Sequence, residues 1–197
     1  MKTLFKLNLL FVFFITSSAY CQYAWTDLIY HYQTGSIPPP HYFEYNLNIN
    51  SGGTATLVYF PGYFQDTSWV YNFTIKEDDI KSLNDSIISS KALSEPIKEM
   101  PEHKHPIGGS MQNVTFILPQ DPGLDQKPPT LVIPFFPQPQ YKDALDNLYS
   151  SIKSLVPQSI WDEISAKKED YMKNYKKYNK TFQFNFYQKQ FFYMSST

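Results

Sequence analysis

The residues from Phe43 to Ile49 alternate between apolar and polar side chains, and this alternation constrains the fold more than any other feature of the sequence. Every second residue from Phe43 to Ile49 is apolar, and the residues between them are Glu or Asn. Successive side chains of a strand point to opposite faces, so the pattern predicts a strand with one buried face. Such strands are typical of antiparallel sheets. Residues 54–60 also have a strand composition, rich in Thr, Val and aromatic residues, and the alternation is cleanest in residues 68–76.

The segments around these strands carry turn and helix signals. Glycines 52–53 follow the first strand, and glycine accepts the positive φ that a tight hairpin needs. Pro61 and Gly62 end the second strand. The acidic residues 77–79 suit the positive end of a helix dipole. Apolar residues then recur at helical spacing: Ile80, Leu83, Ile87 and Ile88. We therefore expect three antiparallel strands with a helix on their apolar face.

Two more strands and two more helices are expected in the second half of the chain. Residues 112–118 and 130–136 have strand patterns. Pro134 either places the second of them at a sheet edge or ends it early, because proline lacks a backbone donor. Apolar spacing predicts helices over residues 141–155 and from Ile160 to about residue 178. The expected fold class is α+β: a single antiparallel sheet of about five strands, in the order β3-α-β2-α-α, with helices packed on one face.

Residues 1–21 resemble a secretory signal peptide. Two lysines precede a short apolar run, and small residues follow it. Cleavage is expected after Ala19 or after Cys21. An uncleaved membrane anchor is the alternative, although the apolar run is short for a bilayer. The sequence thus predicts an exported chain, periplasmic or secreted, with no transmembrane span after the signal is removed.

Cys21 is the single cysteine of the chain. A cysteine after an apolar run resembles a bacterial lipoprotein signal, but Tyr20 stands where that pattern has a small residue, which disfavours a lipid anchor at Cys21. One cysteine cannot form an internal disulfide. We therefore expect an exported domain that its hydrophobic core alone holds together.

The charge of the chain argues against nucleic acid as a partner. All 17 basic side chains are lysines, so the chain has no guanidinium group for bidentate recognition of phosphate or guanine. The formal charge is −1, and loss of the signal peptide removes two more lysines. A mature chain of net negative charge has no electrostatic attraction to a phosphate backbone.

Composition divides the rest of the chain into three parts. Residues 22–40 are expected to form an N-terminal arm that ends in three consecutive prolines, and residues 41–180 a single α+β domain. Residues 181–197 form an aromatic tail, for which we expect an added strand, a docking segment or a disordered end. The candidate partner-binding residues of the tail are Phe182, Phe184, Phe186, Phe191 and Phe192.

A Pro-rich loop over residues 91–110 contains the sharpest candidate for a metal site. It carries Glu102, His103 and His105, and histidines two apart on an extended chain face the same way. Imidazole and carboxylate groups suit zinc or copper. The alternative is a solvated polar loop, because short motifs often match by chance. Loops of this length are uncommon in compact domains and are often functional.

Aromatic residues suggest a sugar-binding surface. Tyr63, Trp69 and Trp161 would stack on sugar rings if they lie together on the surface, whereas packing in the core is the alternative for each of them. No phosphate loop, dinucleotide fingerprint or zinc-protease motif occurs in the sequence, and no cofactor is predicted.

Three classes of function follow from these observations. The sequence favours a non-catalytic binding or interaction domain with an unknown protein or glycan as partner, since no catalytic signature was found. A carbohydrate-binding module is the first alternative. A small metal-dependent enzyme that uses the loop of His103 and His105 is the second.

Overall fold

The computed structural model describes residues 24–38, 41–63, 67–120, 123 and 127–175. Its six strands are β1 (Asp27–Gln33), β2 (Glu44–Asn50), β3 (Thr54–Phe60), β4 (Trp69–Thr74), β5 (Met111–Ile117) and β6 (Thr130–Ile133). Its helices are α1 (Glu77–Ser90), α2 (Lys142–Ser154) and α3 over residues 158–175. Two short 3-10 turns lie at Glu102–Lys104 and Pro139–Tyr141. In this described part of the chain, no helix is both long and apolar enough to span a membrane.

The strands form one antiparallel sheet in the order β4-β3-β2-β1-β5-β6. The predicted α+β class with a single antiparallel sheet is therefore confirmed. The sheet has six strands instead of about five, because β1 lies within residues 22–40, for which only an arm was expected. The sequence of β1 does not alternate cleanly, since Leu28, Ile29 and Tyr30 are adjacent apolar residues. β1 lies inside the sheet and pairs on both sides, with β2 and β5.

One face of the sheet carries the core. The alternating residues of β2 that were expected to be buried are buried: Tyr45, Leu47 and Ile49. Leu28 and Tyr30 of β1 lie on the same face and are 0% exposed. Helices α1 and α2 cover this face with apolar stripes: Ile80, Leu83 and Ile87 from α1, and Leu145, Leu148 and Ile152 from α2. The opposite face is more open, and Val70 there is 57% exposed.

The predicted hairpin between β2 and β3 is present. Gly53 has φ of +90°, which residues with a side chain rarely adopt. Its N–H donates to the carbonyl oxygen of Asn50 at 2.9 Å, and its own carbonyl accepts from the N–H of Ile75 at 2.7 Å. The glycine therefore closes the turn and fixes the end of β4 at the same time.

Strand β6 lies at one edge of the sheet and ends at Ile133, directly before Pro134. The chain after it pairs with the Pro-rich loop instead of continuing the sheet. Met100 donates its N–H to the carbonyl oxygen of Phe136 at 2.7 Å, and Gln138 donates to the carbonyl of Lys98 at 2.9 Å. These two bonds hold the loop against the segment that leads into α2.

Candidate functional site

A pocket of about 270 Å³ lies between the start of β5, the segment that leads into α2, and the first turns of α2. The Pro-rich loop closes one side of it. Most of the lining side chains are apolar, and several of them are aromatic rings or prolines. The lining residues are Met100, Pro106, Ser110, Gln112, Phe135, Phe136, Pro137, Pro139, Lys142, Leu145, Asp146 and Tyr149. An apolar cleft at which a few polar groups converge is the usual form of a small-molecule site.

His105 supports the wall of this pocket. Its ring centroid lies 4.3 Å from that of Phe136, and its Nε2 lies 2.9 Å from the carbonyl oxygen of Met100. Both of these neighbours line the pocket. The histidine therefore fixes the loop by one hydrogen bond and one ring contact.

Tyr149 and Gln112 line the pocket on the side of the core. Tyr149 is only 3% exposed, and its hydroxyl oxygen has no hydrogen-bond partner among the described residues. Burial, and then the negative charge of Asp146, raise the pKa of the Tyr149 phenol, so it stays protonated and can donate. Gln112 accepts a 2.7 Å hydrogen bond from the hydroxyl of Tyr30 through its Oε1. The Nε2 donors of the Gln112 amide are left for another acceptor.

The mouth of the pocket carries an ion pair. Lys142 and Asp146 are one helical turn apart on α2 and are hydrogen-bonded to each other. This bond and the carboxylate charge raise the pKa of Lys142. Both side chains remain solvated, so the pair neutralises the charge at the mouth and contributes little to stability. A ligand in this pocket could bury an apolar body against the rings and prolines and place one polar atom near the side chain of Gln112.

A second depression of about 420 Å³ lies between residues 93–97 and β6. Glu95 on its rim lies 3.3 Å from the ammonium group of Lys91. Among the described residues, those lining this depression hold no buried side-chain polar atom without a partner. It therefore offers a ligand less than the pocket beside α2 does.

The predicted metal residues are not brought together. Glu102 and His103 are exposed on a 3-10 turn, so the extended geometry that would align His103 with His105 is absent. The carboxylate nearest to His105 is that of Glu99, 3.9 Å from Nε2. Within the ranges described, no group of three or more His, Cys, Asp or Glu side chains is placed to hold a metal ion.

The three predicted sugar-binding aromatics lie in different surroundings. Trp69 stacks on Tyr59, with ring centroids 5.4 Å apart, and Trp161 meets Tyr45 edge-on at 5.4 Å. Both tryptophans are half-buried against the core. Tyr63 is 44% exposed and stacks on Tyr42 at 3.9 Å. The core-packing alternative thus describes the two tryptophans, and only Tyr63 remains at the surface.

The contact between Trp69 and Tyr59 belongs to a row of aromatic rings that was not predicted from the sequence. The row crosses four strands through directly paired positions: Tyr32, Tyr45, Tyr59 and Trp69. Helix α3 covers it, and Nζ of Lys168 lies 3.8 Å from the ring centroid of Phe43 beside the row. This burial lowers the pKa of Lys168. The row depends on the strand register, which pairs these four positions directly and which the sequence alone did not predict.

Several predicted residues lie outside the described part of the chain. They are the cleavage residues Ala19 and Cys21 and the tail residues Phe182, Phe184, Phe186, Phe191 and Phe192. Export and docking through the tail stay predictions.

The pocket residues Gln112, Phe136 and Tyr149 were not predicted as a site. The one sequence signal that pointed to them was the length and proline content of the loop over residues 91–110. Comparison with protein-family models and with the curated proteins gave no match. Function is therefore inferred from the residues of the site.

Proposed function

We propose that this chain is an exported, non-catalytic binding domain that holds a small ligand in the pocket between α2 and the Pro-rich loop. The observation that carries this proposal is the lining of the pocket: apolar rings and prolines surround the cleft, and the polar side chains of Gln112 and Lys142 also line it. The predicted signal peptide supports the exported location.

The binding site can be tested by closing its mouth. Ser110 is exposed and lines the pocket, so Ser110→Trp places a bulky ring over the opening. Ser165→Trp makes the same change at an exposed position of α3 that does not line the pocket and serves as the control. Ethylbenzene and acetophenone are titrated into each ¹⁵N-labelled protein while amide chemical shifts are recorded.

We expect saturable shifts around residues 135–149 in the wild-type and Ser165→Trp proteins, and none in Ser110→Trp. Absence of saturable shifts with both compounds in the wild-type protein would overturn the proposal. The exported location is tested separately by sequencing the N-terminus of the mature protein. A start at Tyr20 or at Gln22 supports it, and an intact Met1 in the purified protein contradicts it.

A carbohydrate-binding role is the second candidate, and the exposed ring of Tyr63 is the observation that favours it. Sugar-binding surfaces present aromatic faces to solvent, and Tyr63 with Tyr42 offers one such pair. Binding on a glycan array that Tyr63→Ala abolishes and Ser110→Trp leaves unchanged would favour this candidate over the pocket.

A further inference from the structure

We propose that residues 181–187 of the tail add a strand to the sheet at the free edge of β4, with Phe182, Phe184 and Phe186 on the face that carries the core. The inference goes beyond the proposed function, because it concerns a sheet edge and not the pocket. Residues 181–187 lie outside the described part of the chain. The inference therefore rests on the edge of β4, on the place where α3 ends and on the sequence of the segment.

The two edges of the sheet differ in their protection against an added strand. Natural edge strands are protected by short length, prolines, charged side chains or bulges. Strand β6 has four residues, Pro129 directly precedes it, and Pro134 directly follows it. Strand β4 has six residues, and its sequence, WVYNFT, contains no charged residue and no proline. The edge of β4 is therefore the one at which another strand can add.

The backbone of β4 presents hydrogen-bonding groups along this edge. Ile75 donates its N–H to the carbonyl oxygen of Gly53 at 2.7 Å, in register with the ladder between β3 and β4. Bonded pairs alternate along an antiparallel ladder, so every second residue of β4 bonds to β3 and the others point their N–H and C=O groups outward. Among the described residues, none is hydrogen-bonded to these outward groups. The residues with outward groups are Val70, Asn72 and Thr74.

The side chains of β4 match the pattern of the segment. Every second side chain of β4 is aromatic, and these rings are half-buried against the core, whereas the side chains between them are exposed. In residues 181–187, phenylalanines alternate with Gln183 and Asn185. Successive side chains of a strand point to opposite faces. A strand of this sequence therefore places its three rings beside those of β4 and its two amides beside Asn72 on the exposed face.

Helix α3 brings the chain close to this edge. Nζ of Lys167 in α3 lies 5.1 Å from the ring centroid of Tyr71 in β4. One turn later, the hydroxyl oxygen of Tyr171 lies against Gly62, between β3 and β4, where an added Cβ would be 2.5 Å from it. Residues 176–180 join α3 to the segment and span up to about 17 Å when extended. An added strand lies only about 4.8 Å beyond β4, so this linker is long enough.

Amide hydrogen exchange of the full ¹⁵N-labelled chain tests the inference, because β4 contains its own control. An added strand accepts hydrogen bonds from outward N–H groups of β4 and slows their exchange. The N–H groups of Tyr71 and Phe73 bond to β3 with or without the added strand, so they stay protected as long as β4 is folded.

Val132 at the other edge of the sheet supplies the reference. Leu118 donates its N–H to the carbonyl oxygen of Pro129 at 2.9 Å, so by the same alternation the N–H of Val132 points away from β5. No described residue is hydrogen-bonded to it. After correction for intrinsic exchange rates, we expect the outward N–H groups of β4 to exchange about tenfold more slowly than that of Val132.

Phe184→Asp and Asn185→Asp form a matched pair, because they place the same carboxylate on opposite faces of the segment. Phe184→Asp removes a ring and sets the charge against the rings of β4, so protection of the outward N–H groups should fall by about tenfold. Asn185→Asp sets the charge on the solvated face and should change this protection by less than about twofold. Exchange at Tyr71 and Phe73 should stay slow in both variants.

Outward N–H groups of β4 that exchange as fast as that of Val132 in the wild-type protein would overturn the inference. Protection that both substitutions leave unchanged, or that both remove equally, would also overturn it, because neither result fits a segment with one apolar face. Protection that falls on dilution would assign the edge to a second copy of the chain instead. The chain's own segment keeps an effective concentration in the millimolar range at any protein concentration.

Discussion

The hydroxyl of Tyr30 in β1 donates a 2.7 Å hydrogen bond to Oε1 of Gln112 in β5. Tyr30 is wholly buried, and its ring lies 5.8 Å from that of Tyr149, so this bond joins the middle of the sheet to the side of the pocket. The bond fixes which end of the Gln112 amide faces away from the core. Loss of this hydrogen bond should therefore lower the free energy of unfolding and also alter the pocket.

Substitution of either partner of this bond should destabilise the protein, and substitution of both should cost less than the sum. Gln112→Leu removes the acceptor that Gln112 offers to the buried hydroxyl of Tyr30, which we expect to lower the free energy of unfolding by about 1–3 kcal/mol. Tyr30→Phe should lower it by about 1 kcal/mol. Urea unfolding of both single variants and the double variant measures the coupling. Strict additivity would show that the bond contributes nothing.

The protein should lose stability steeply above about pH 10. Burial raises the pKa of four core tyrosines above the ordinary value of a phenol: Tyr30, Tyr45, Tyr59 and Tyr149. Above pH 10 the unfolded chain releases these protons while the folded chain keeps them, so the folded state binds more protons and the free energy of unfolding falls as pH rises. Below pH 10 the stabilisation is fully present. Each tyrosine contributes a slope of about 1.4 kcal/mol per pH unit.

Urea unfolding between pH 8 and pH 11 measures this slope, and absorbance of tyrosinate reports ionisation directly. Tyr45→Phe should reduce the slope of the free energy of unfolding against pH by the contribution of one tyrosine, whereas the exposed-site control Tyr63→Phe should leave the slope unchanged. The lowered pKa of Lys168 acts in the opposite direction, because raising the pH relieves the cost of burying its charge. Lys168 alone reduces the fall of the free energy of unfolding with pH but does not reverse it, because four tyrosines act in the other direction. Stability that is constant from pH 9 to pH 11 would contradict this account.

Gly53→Ala should destabilise the protein more than Gly108→Ala. The two glycines have similar positive φ values, +90° and +85°, so the conformational cost of a side chain is similar at both. A Cβ atom at Gly53 would lie 2.8 Å from the carbonyl oxygen of Ile75, whereas a Cβ at Gly108 meets nothing within 4 Å. We expect an additional loss of about 1 kcal/mol or more for Gly53→Ala in thermal or urea unfolding. Equal losses would mean that the turn relaxes without disturbing β4.

His105→Ala should weaken the Pro-rich loop, whereas His103→Ala should not. His105 contacts Phe136 and bonds to the carbonyl of Met100, while His103 is exposed. We expect a loss of about 1 kcal/mol for His105→Ala and a change within about 0.5 kcal/mol for His103→Ala. Proteolysis of the loop and urea unfolding check both. Tight, equimolar zinc binding that either substitution abolishes would instead return these residues to the metal hypothesis.

Local pattern was enough to predict the hairpin of β2 and β3 and the helices over it, because each of these elements buries one face. Tyr45, Leu47 and Ile49 alternate with asparagines, and the burial follows that alternation. Strand β1 also buries one face, but it was missed because three adjacent apolar residues, Leu28 to Tyr30, obscure the alternation and because proximity to the prolines made residues 22–40 resemble an arm.

The pocket could not be predicted from the sequence, because its walls come from separate segments that only the tertiary structure brings together. Met100, Gln112 and Tyr149 belong to a loop, a strand and a helix, and none has an unusual sequence context. The candidate metal ligands Glu102, His103 and His105 are not brought together among the described residues, and the reason is local. A 3-10 turn at Glu102–Lys104 replaces the extended backbone on which the alignment of His103 with His105 depended.

The central position of β1 also determines when the chain is vulnerable. Of the six described strands, β1 is synthesised first, and β2 follows closely enough to pair with it at once. The other neighbour of β1 is β5, which is synthesised much later. Thr26, directly before β1, donates a hydrogen bond to the carbonyl oxygen of Ile117 in β5, and the two residues are 91 positions apart in the sequence. Until β5 has been made, one side of β1 is a temporary edge with unpaired N–H and C=O groups, and such edges recruit other strands. This edge is therefore exposed only in the unfinished chain, before residue 117 has been added, and it closes when β5 docks.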